Sequence, residues 1–265
     1  MNLSSAAQDG HCSLYHYQSF KGDSIGYLEQ TLSNRAIHMS QPSSFNDPWD
    51  CKPWFDLTLL DDPREREQHV RWLGDTAMLG PDQVECIRTD RSRLEELIEM
   101  VYKRRIQAAD KYRIYCLTPQ SEHPLLWAHY GDCHRGVALE FNALHPQMQW
   151  AIRVQYRESY PTYRLYKDEG NADLVPFYTK SDVWAYEREY RLIAEERQQP
   201  QFSVLTTNDS MLRLMGGVLV GVVLGCQCDA RRALEIIDRY GSYGLRVRQA
   251  CRMTNRYALT LKTVR

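Results

Sequence analysis

The stretch WAYEREYRLIAEE, Trp184–Glu196, decides how the rest of the chain is read. As a strand, its alternation puts Glu187, Glu189, Arg191 and Ile193 on one face and Tyr186, Arg188, Tyr190 and Leu192 on the other. As a helix, Tyr186 meets Tyr190 and Glu187 meets Arg191 at one-turn spacing. Aromatics followed by Leu192, Ile193 and Ala194 suit a strand better than a charged surface helix, so we read a strand. Three charges on one face cannot be buried unpaired without a penalty of several kcal/mol each. That face is therefore either a salt-bridged edge in solvent or a carboxylate pair in a polar cleft, with Arg191 keeping one carboxylate ionised.

Working outward, the segments on either side supply more strands. SLYHYQSF (13–20), AIHMS (36–40), KYRIYCLTP (111–119), GVALEF (136–141) and WAIRVQYRE (150–158) read as strands before the opening stretch. After it come the unbroken Val/Leu run GGVLVGVVLGC (216–226) and two alternating segments, LRVRQACR (245–252) and RYALTLKTV (256–264). Helices are expected at IGYLEQTLSNR (25–35), with Asp23 and Ser24 as caps, and at HPLLWAHY (123–130). DARRALEIIDRYG (229–241) is a third, with Asp229 as N-cap and Gly241 just past its end. Residues 61–110 are charged, with Leu94, Leu97, Ile98, Val101 and Ile106 at helical spacing; they read as a helical insertion. YPTYRLYKDEGNADLVPF (160–177) reads as a loop or short helix leading to Lys180. Short strands among helices without regular alternation give an α+β class: a single domain over 1–265, a mixed, mostly antiparallel sheet core and a helical insertion at about 61–110.

Composition narrows the class further. The 265 residues are 43% hydrophobic and 25% charged with a formal net charge of -1, the profile of an ordinary globular protein without a global basic or acidic bias. MNLSSAAQDGHCS has no secretory pattern and the longest apolar run is too short for a bilayer, so a cytoplasmic protein without membrane contact is expected. The eight cysteines then read as free thiols, and Cys226 and Cys228 lack partners at metal-ligand spacing, so no metal is expected. No GxGxxG opens a helix and no GxxxxGK[ST] occurs, which disfavours classical dinucleotide and P-loop folds.

Several constellations carry chemistry. SSFNDPWDC (43–51) offers Asn46, Asp47 and Asp50 around Pro48, either as a capped turn or as a site wall whose acids hold a metal or a ribose. LLWAHYGDCHRG (125–136) crowds Trp127, His129, Tyr130, His134 and Arg135 at a helix end. LYHYQS puts Tyr15 and Tyr17 on one strand face and His16 on the other.

Taken together, Leu14–Ser19, Phe45–Pro48, Asp50-Cys51, Trp127, His129-Tyr130, Asp132, His134, Gly136, Lys180-Ser181, Trp184 and Tyr186–Leu192 resemble the motifs of bacterial domain-of-unknown-function family 2971. Some members of that family are associated with abortive-infection phage defence. The layout is also similar to that of ADP-ribosyltransferases, whose late strand carries a glutamate followed by aliphatics. This second resemblance implies NAD as substrate, with Glu189 and Glu187 catalytic and His16, Tyr15, Tyr130, Trp127 and Arg191 binding the dinucleotide. Asn46, Asp47, Asp50, His129 and Lys180 would support them. It implies an NAD-consuming toxin or defence effector with a protein or nucleic-acid acceptor and a cognate antitoxin or defence partner. The alternatives are a metal-dependent nuclease or hydrolase using Asp47, Asp50, Glu187 and Glu189, and a non-enzymatic sensor or partner-binding module.

Overall fold

The computed structural model describes residues 3–52, 55–160, 164–166, 171–197, 205–240 and 244–264. In chain order the regular elements are β1 (Ser13–Gln18), α1 (Asp23–Asn34), β2 (Ala36–His38), α2 (Pro63–Thr76), α3 (Pro81–Thr89) and α4 (Arg91–Ala109). Then come β3 (Tyr112–Leu117), α5 (Pro124–His129), β4 (Val137–Asn142), β5 (Ile152–Arg153), β6 (Gln155–Arg157) and β7 (Thr179–Ser181). The chain closes with β8 (Tyr190–Glu196), β9 (Thr206–Thr207), β10 (Met211–Arg213), β11 (Leu219–Leu224), α6 (Ala230–Tyr240), β12 (Arg246–Arg252) and β13 (Leu259–Thr263). The class is α+β with mixed, mostly antiparallel sheets.

The chain divides into two compact units. The first gathers residues 1–40, 112–154 and 184–265. Its larger sheet runs β1-β4-β11-β12-β13, antiparallel except for β11 and β12, which α6 joins as a parallel crossover. Asp229 caps α6 as expected, accepting the Arg232 amide at 3.1 Å; the expected stop at Gly241 lies outside the described residues. A second sheet has the order β3-β8-β5, with β9 pairing β8. Bonds between Tyr15 and Thr118, 2.7 and 2.9 Å long, bridge β1 to the end of β3. The core takes the apolar faces of both sheets, among them Leu14, Tyr115, Leu139, Phe141, Leu192, Val222 and Val247.

Two glycines permit a close backbone crossing behind α5. A Cβ on Gly136 would stand 2.2 Å from the Gln18 carbonyl, and one on Gly225 would stand 2.2 Å from the His134 carbonyl. With no side chains there, the Gly225 amide reaches the Gly136 carbonyl at 2.9 Å.

The second unit holds residues 41–111 and 155–183, and so is broader than the insertion expected over 61–110. Asp62 and Asp90 cap α2 and α4 by accepting backbone amides. Four of the five positions read at helical spacing pack into its core: Leu94 and Ile98 are buried with Leu60, Val70, Leu73 and Ile87, and Leu97 and Val101 lie against them, whereas Ile106 lines a cleft. β6 and β7 pair in parallel, aligning Tyr156 with Lys180 and Arg157 with Ser181.

The structure departs from the sequence pattern in two places. The strand expected over 150–158 is two short pieces, β5 and β6, and it follows a 3-10 turn, Pro146–Trp150. The opening stretch is a strand only from Tyr190 onward; Asp182–Glu187 is a 3-10 turn and Arg188 has φ 51. The turn breaks the alternation, so Glu187 does not share a strand face with Glu189 and Arg191. Of the segment 160–177, Asn171–Tyr178 is a 3-10 turn, while 161–163 and 167–170 lie outside the described residues.

Candidate functional site

β8 sits inside its sheet, between β3 and β5, so its charged residues meet no solvent edge. Arg191 is fully buried and Glu189 nearly so. Arg191 Nε donates to Glu189 Oε1 at 2.6 Å and a terminal nitrogen donates to Oε2 at 3.1 Å. This fork fits both carboxylate oxygens to one guanidinium, the geometry that offsets the cost of burying two charges. Glu187 is also buried; its Oε1 accepts the Tyr130 hydroxyl at 2.7 Å and its backbone carbonyl accepts the Thr118 hydroxyl at 2.7 Å. The salt-bridged solvent edge is therefore excluded, and the pair splits into two separately held carboxylates.

The other residues of the early and middle strands are bound into the first unit. Trp127 has no exposed surface, packs edge-on against Tyr17 at 4.8 Å and donates its Nε1–H to the Ser121 carbonyl at 2.9 Å. An indole so placed presents no ring face to a ligand. Tyr15 is buried with its hydroxyl 3.2 Å from Glu140 Oε1. His16 stacks on Tyr115 with ring centroids 3.9 Å apart, and its Nδ1 donates to the Cys116 carbonyl at 2.8 Å. Burial pulls its pKa down to about 4, against the opposing effect of that bond. His129 is exposed, edge-on to Trp184 at 6.2 Å.

The second unit brings the FNDPWD loop and Lys180 together. A cleft of about 720 Å³ is lined by the loop (Asp47, Trp49, Asp50, Lys52), by α4 (Tyr102, Ile106), by Arg157–Tyr160 and by Pro176 with Thr179–Ser181. The volume lies within the range of about 300–1,000 Å³ usual for small-molecule sites. Asp47, Asp50 and Lys180 are buried, whereas Trp49 is 66% exposed. Lys180 Nζ stands 3.8 Å from Asp50 Oδ2, and the Cys51 thiol, whose residue has φ 59, donates to Asp50 Oδ1 at 3.4 Å. Asp47 Oδ1 accepts the Trp49 amide at 2.9 Å and so fixes the loop. Its second oxygen has no partner among the described residues. The Tyr160 hydroxyl donates to the Trp49 carbonyl at 2.9 Å. Burial first, then the neighbouring Tyr102, Asp50, Cys51 and Asp47, raises its pKa well above the usual phenol range. Burial alone raises Tyr102 to about 12. Asn46 is exposed and does not line the cleft.

Sequence reading missed Tyr102, Arg157 and Tyr160. They come from segments remote from the loop, and neither periodicity nor a motif marks them. It also missed Glu140, buried on β4 and bonded by Ser13 and Tyr15. A charge inside GVALEF, where alternation expects core, is the signal that was there to read.

All eight cysteines are free thiols, and burial raises Cys228 to about 11. Among the described residues no group of three or more His, Cys, Asp or Glu is arranged to hold a metal ion, and no helix is long and apolar enough to cross a membrane. No family model, curated protein or solved structure matches the chain.

Proposed function

We propose that the protein acts on NAD, taking the dinucleotide into the cleft of its second unit. One observation carries the reading: exposed Trp49 stands in the wall of a cleft that also holds the buried acids Asp47 and Asp50 and the cations Lys180, Lys52 and Arg157. An aromatic face suits a base, cations suit a diphosphate, and a buried carboxylate with an oxygen to spare suits ribose hydroxyls. Breaking the nicotinamide–ribose bond develops positive charge on the ribose, and a preorganised carboxylate stabilises it. In this cleft Asp47 is the carboxylate with an oxygen left over from loop bonding. Glu189, the residue implied by the resemblance to ADP-ribosyltransferases, is committed to Arg191 through both oxygens. The place of the reaction is the cytoplasm, a reading that rests on the sequence pattern of the N-terminus and the short apolar runs; the protein or nucleic-acid acceptor and the cognate antitoxin or defence partner rest on the sequence resemblance alone.

Calorimetric titration with NAD, paired with an assay for released nicotinamide, tests the reading. Wild type should bind NAD saturably. Trp49→Ala should weaken binding by about tenfold, the loss of one stacked aromatic face. Asp47→Asn, which still accepts the Trp49 amide, should keep binding and lose nicotinamide release. No heat and no nicotinamide from the wild type would overturn the proposal, as would release that survives Asp47→Asn but vanishes in a folded Glu189→Gln.

A further inference from the structure

The first unit contains a second concavity, of about 460 Å³, away from Glu187 and Glu189 and independent of the NAD reading. Its walls are Thr31, Leu32 and Arg35 from the end of α1, the segment Leu214–Val220, and Gly244–Arg246 at the start of β12. Two arginines and no carboxylate appear among the described residues of that lining. Leu32 and Leu214 are buried, Leu219 and Leu245 half-buried, and Met215 is 60% exposed, so the rest of the surface is largely apolar.

One of the two arginines is placed by its backbone and the other is tied to a buried anchor. Arg35 closes α1 in the left-handed conformation, φ 51 and ψ 48, which a non-glycine residue adopts at a cost. Its exposed side chain has no hydrogen-bond or ion-pair partner among the described residues. Arg246 is anchored across the sheet. Tyr15, Glu140, Gly221 and Arg246 stand in register on four neighbouring strands. A Cβ on Gly221 would stand 2.6 Å from Glu140 Oε2, so the glycine is the gap through which the buried carboxylate passes. Glu140 Oε1 then meets Arg246 at 3.0 Å, and Oε2 lies 2.7 Å from Arg248. Ser13 and Tyr15 donate to Oε1 from the other side. One carboxylate therefore anchors two arginines, and with Arg35 the balance is three cations against one anion. Arg246 keeps 61% of its side-chain surface exposed despite the anchor.

We infer that this cavity is a binding site for a small amphipathic anion. The carboxylate or phosphate head sits between Arg35 and Arg246, and the apolar body lies along the leucines. An arginine already fixed by a buried carboxylate loses little freedom on binding, which favours affinity. The excess positive charge and the lack of acidic lining select an anion over a neutral or cationic analogue.

The test is titration of the protein with decanoate below its micelle concentration, beside decanol, decylamine and inorganic phosphate. Decanoate should bind saturably at one site, decanol and decylamine at least about tenfold more weakly, and phosphate alone weakly, because it leaves the apolar wall bare. Arg35→Gln and Arg246→Gln should each weaken decanoate by about tenfold or more. Arg35 has no partner to orphan, so its variant keeps the fold and the test decisive should Arg246→Gln unfold. The inference is overturned by decanoate that does not saturate, by equal affinity in wild type and Arg35→Gln, by decanol binding as tightly as decanoate, or by phosphate binding as tightly as decanoate.

Discussion

Arg191 is a charge with no exposed surface, and it donates to both carboxylate oxygens of Glu189, two residues before it, at 2.6 and 3.1 Å. Removing one member of such a pair leaves the other charge buried without its counterion, at a cost of about 3–5 kcal/mol. Glu189→Gln should therefore lower the unfolding free energy read from urea melts by an amount in that range. A variant of unchanged stability would return Glu189 to the list of candidate catalysts. His16 gives a second expectation, in pH. Its folded pKa, about 4, lies below the ordinary 6.5, so the fold holds the ring neutral. Above the ordinary value both states are neutral and this stability is fully present. As pH falls, the unfolded chain takes a proton that the fold refuses, and stability drops until the folded pKa is reached, by about 3 kcal/mol in all. His11, His38, His69, His123 and His134 are shifted the same way, each chiefly by burial, and add to the slope. Urea melts at about pH 7.5 and about pH 5 should show a smaller loss in His16→Gln than in wild type; identical losses would remove His16 from this account.

The elements show what patterning conveys and where it stops. The Val/Leu run of β11, the alternation of β1 and the helical spacing of α4 were legible because each depends on one periodicity within one segment. β8 was legible from Tyr190 onward, where Leu192 and Ala194 alternate. Before that, Arg188 turns the backbone into the left-handed region, and a residue so compatible with a strand gave no warning. The loop after α5 is stranger. Asp132, Cys133 and His134 have φ 48, 51 and 68, three successive non-glycine residues in the left-handed region. The loop is tied down by Lys21 on Asp132 at 2.8 Å, by the His134 amide on the Trp127 carbonyl at 3.1 Å and by the Gln227 amide on the His134 carbonyl at 2.9 Å. Cys133 is exposed, so glycine there relieves backbone strain without emptying a core. Cys133→Gly should raise stability by up to about 1 kcal/mol, the left-handed cost less the extra glycine entropy. A thermal melt that moves downward would show that the strain is not stored at this residue.

At the scale of the molecule, neither unit is a continuous piece of chain. The first is built from three segments and the second from two. The cleft of the second unit is correspondingly divided, with Asp47, Trp49, Asp50 and Tyr102 in one segment and Arg157, Tyr160 and Lys180 in the other. This is why its acids were visible in the FNDPWD motif while its opposite wall was not: the parallel pairing of β6 with β7 supplies that wall, and nothing local foretells it. A fragment of residues 41–111 keeps the helices and loses Arg157, Tyr160 and Lys180, so it should not bind the nucleotide. Calorimetry on that fragment should give no heat with NAD, and binding equal to that of the full chain would show that the opposite wall is dispensable.

The crossing at Gly136 and Gly225 also bears on how the chain finds its structure. It asks Gln18, Gly136 and Gly225 to meet at backbone distance, each separated from the next by scores of residues. No local turn can prepare that meeting, so the closure entropy of two long loops is spent before the contact returns anything. The first unit should accordingly reach its native state on the slow side for a domain of its size.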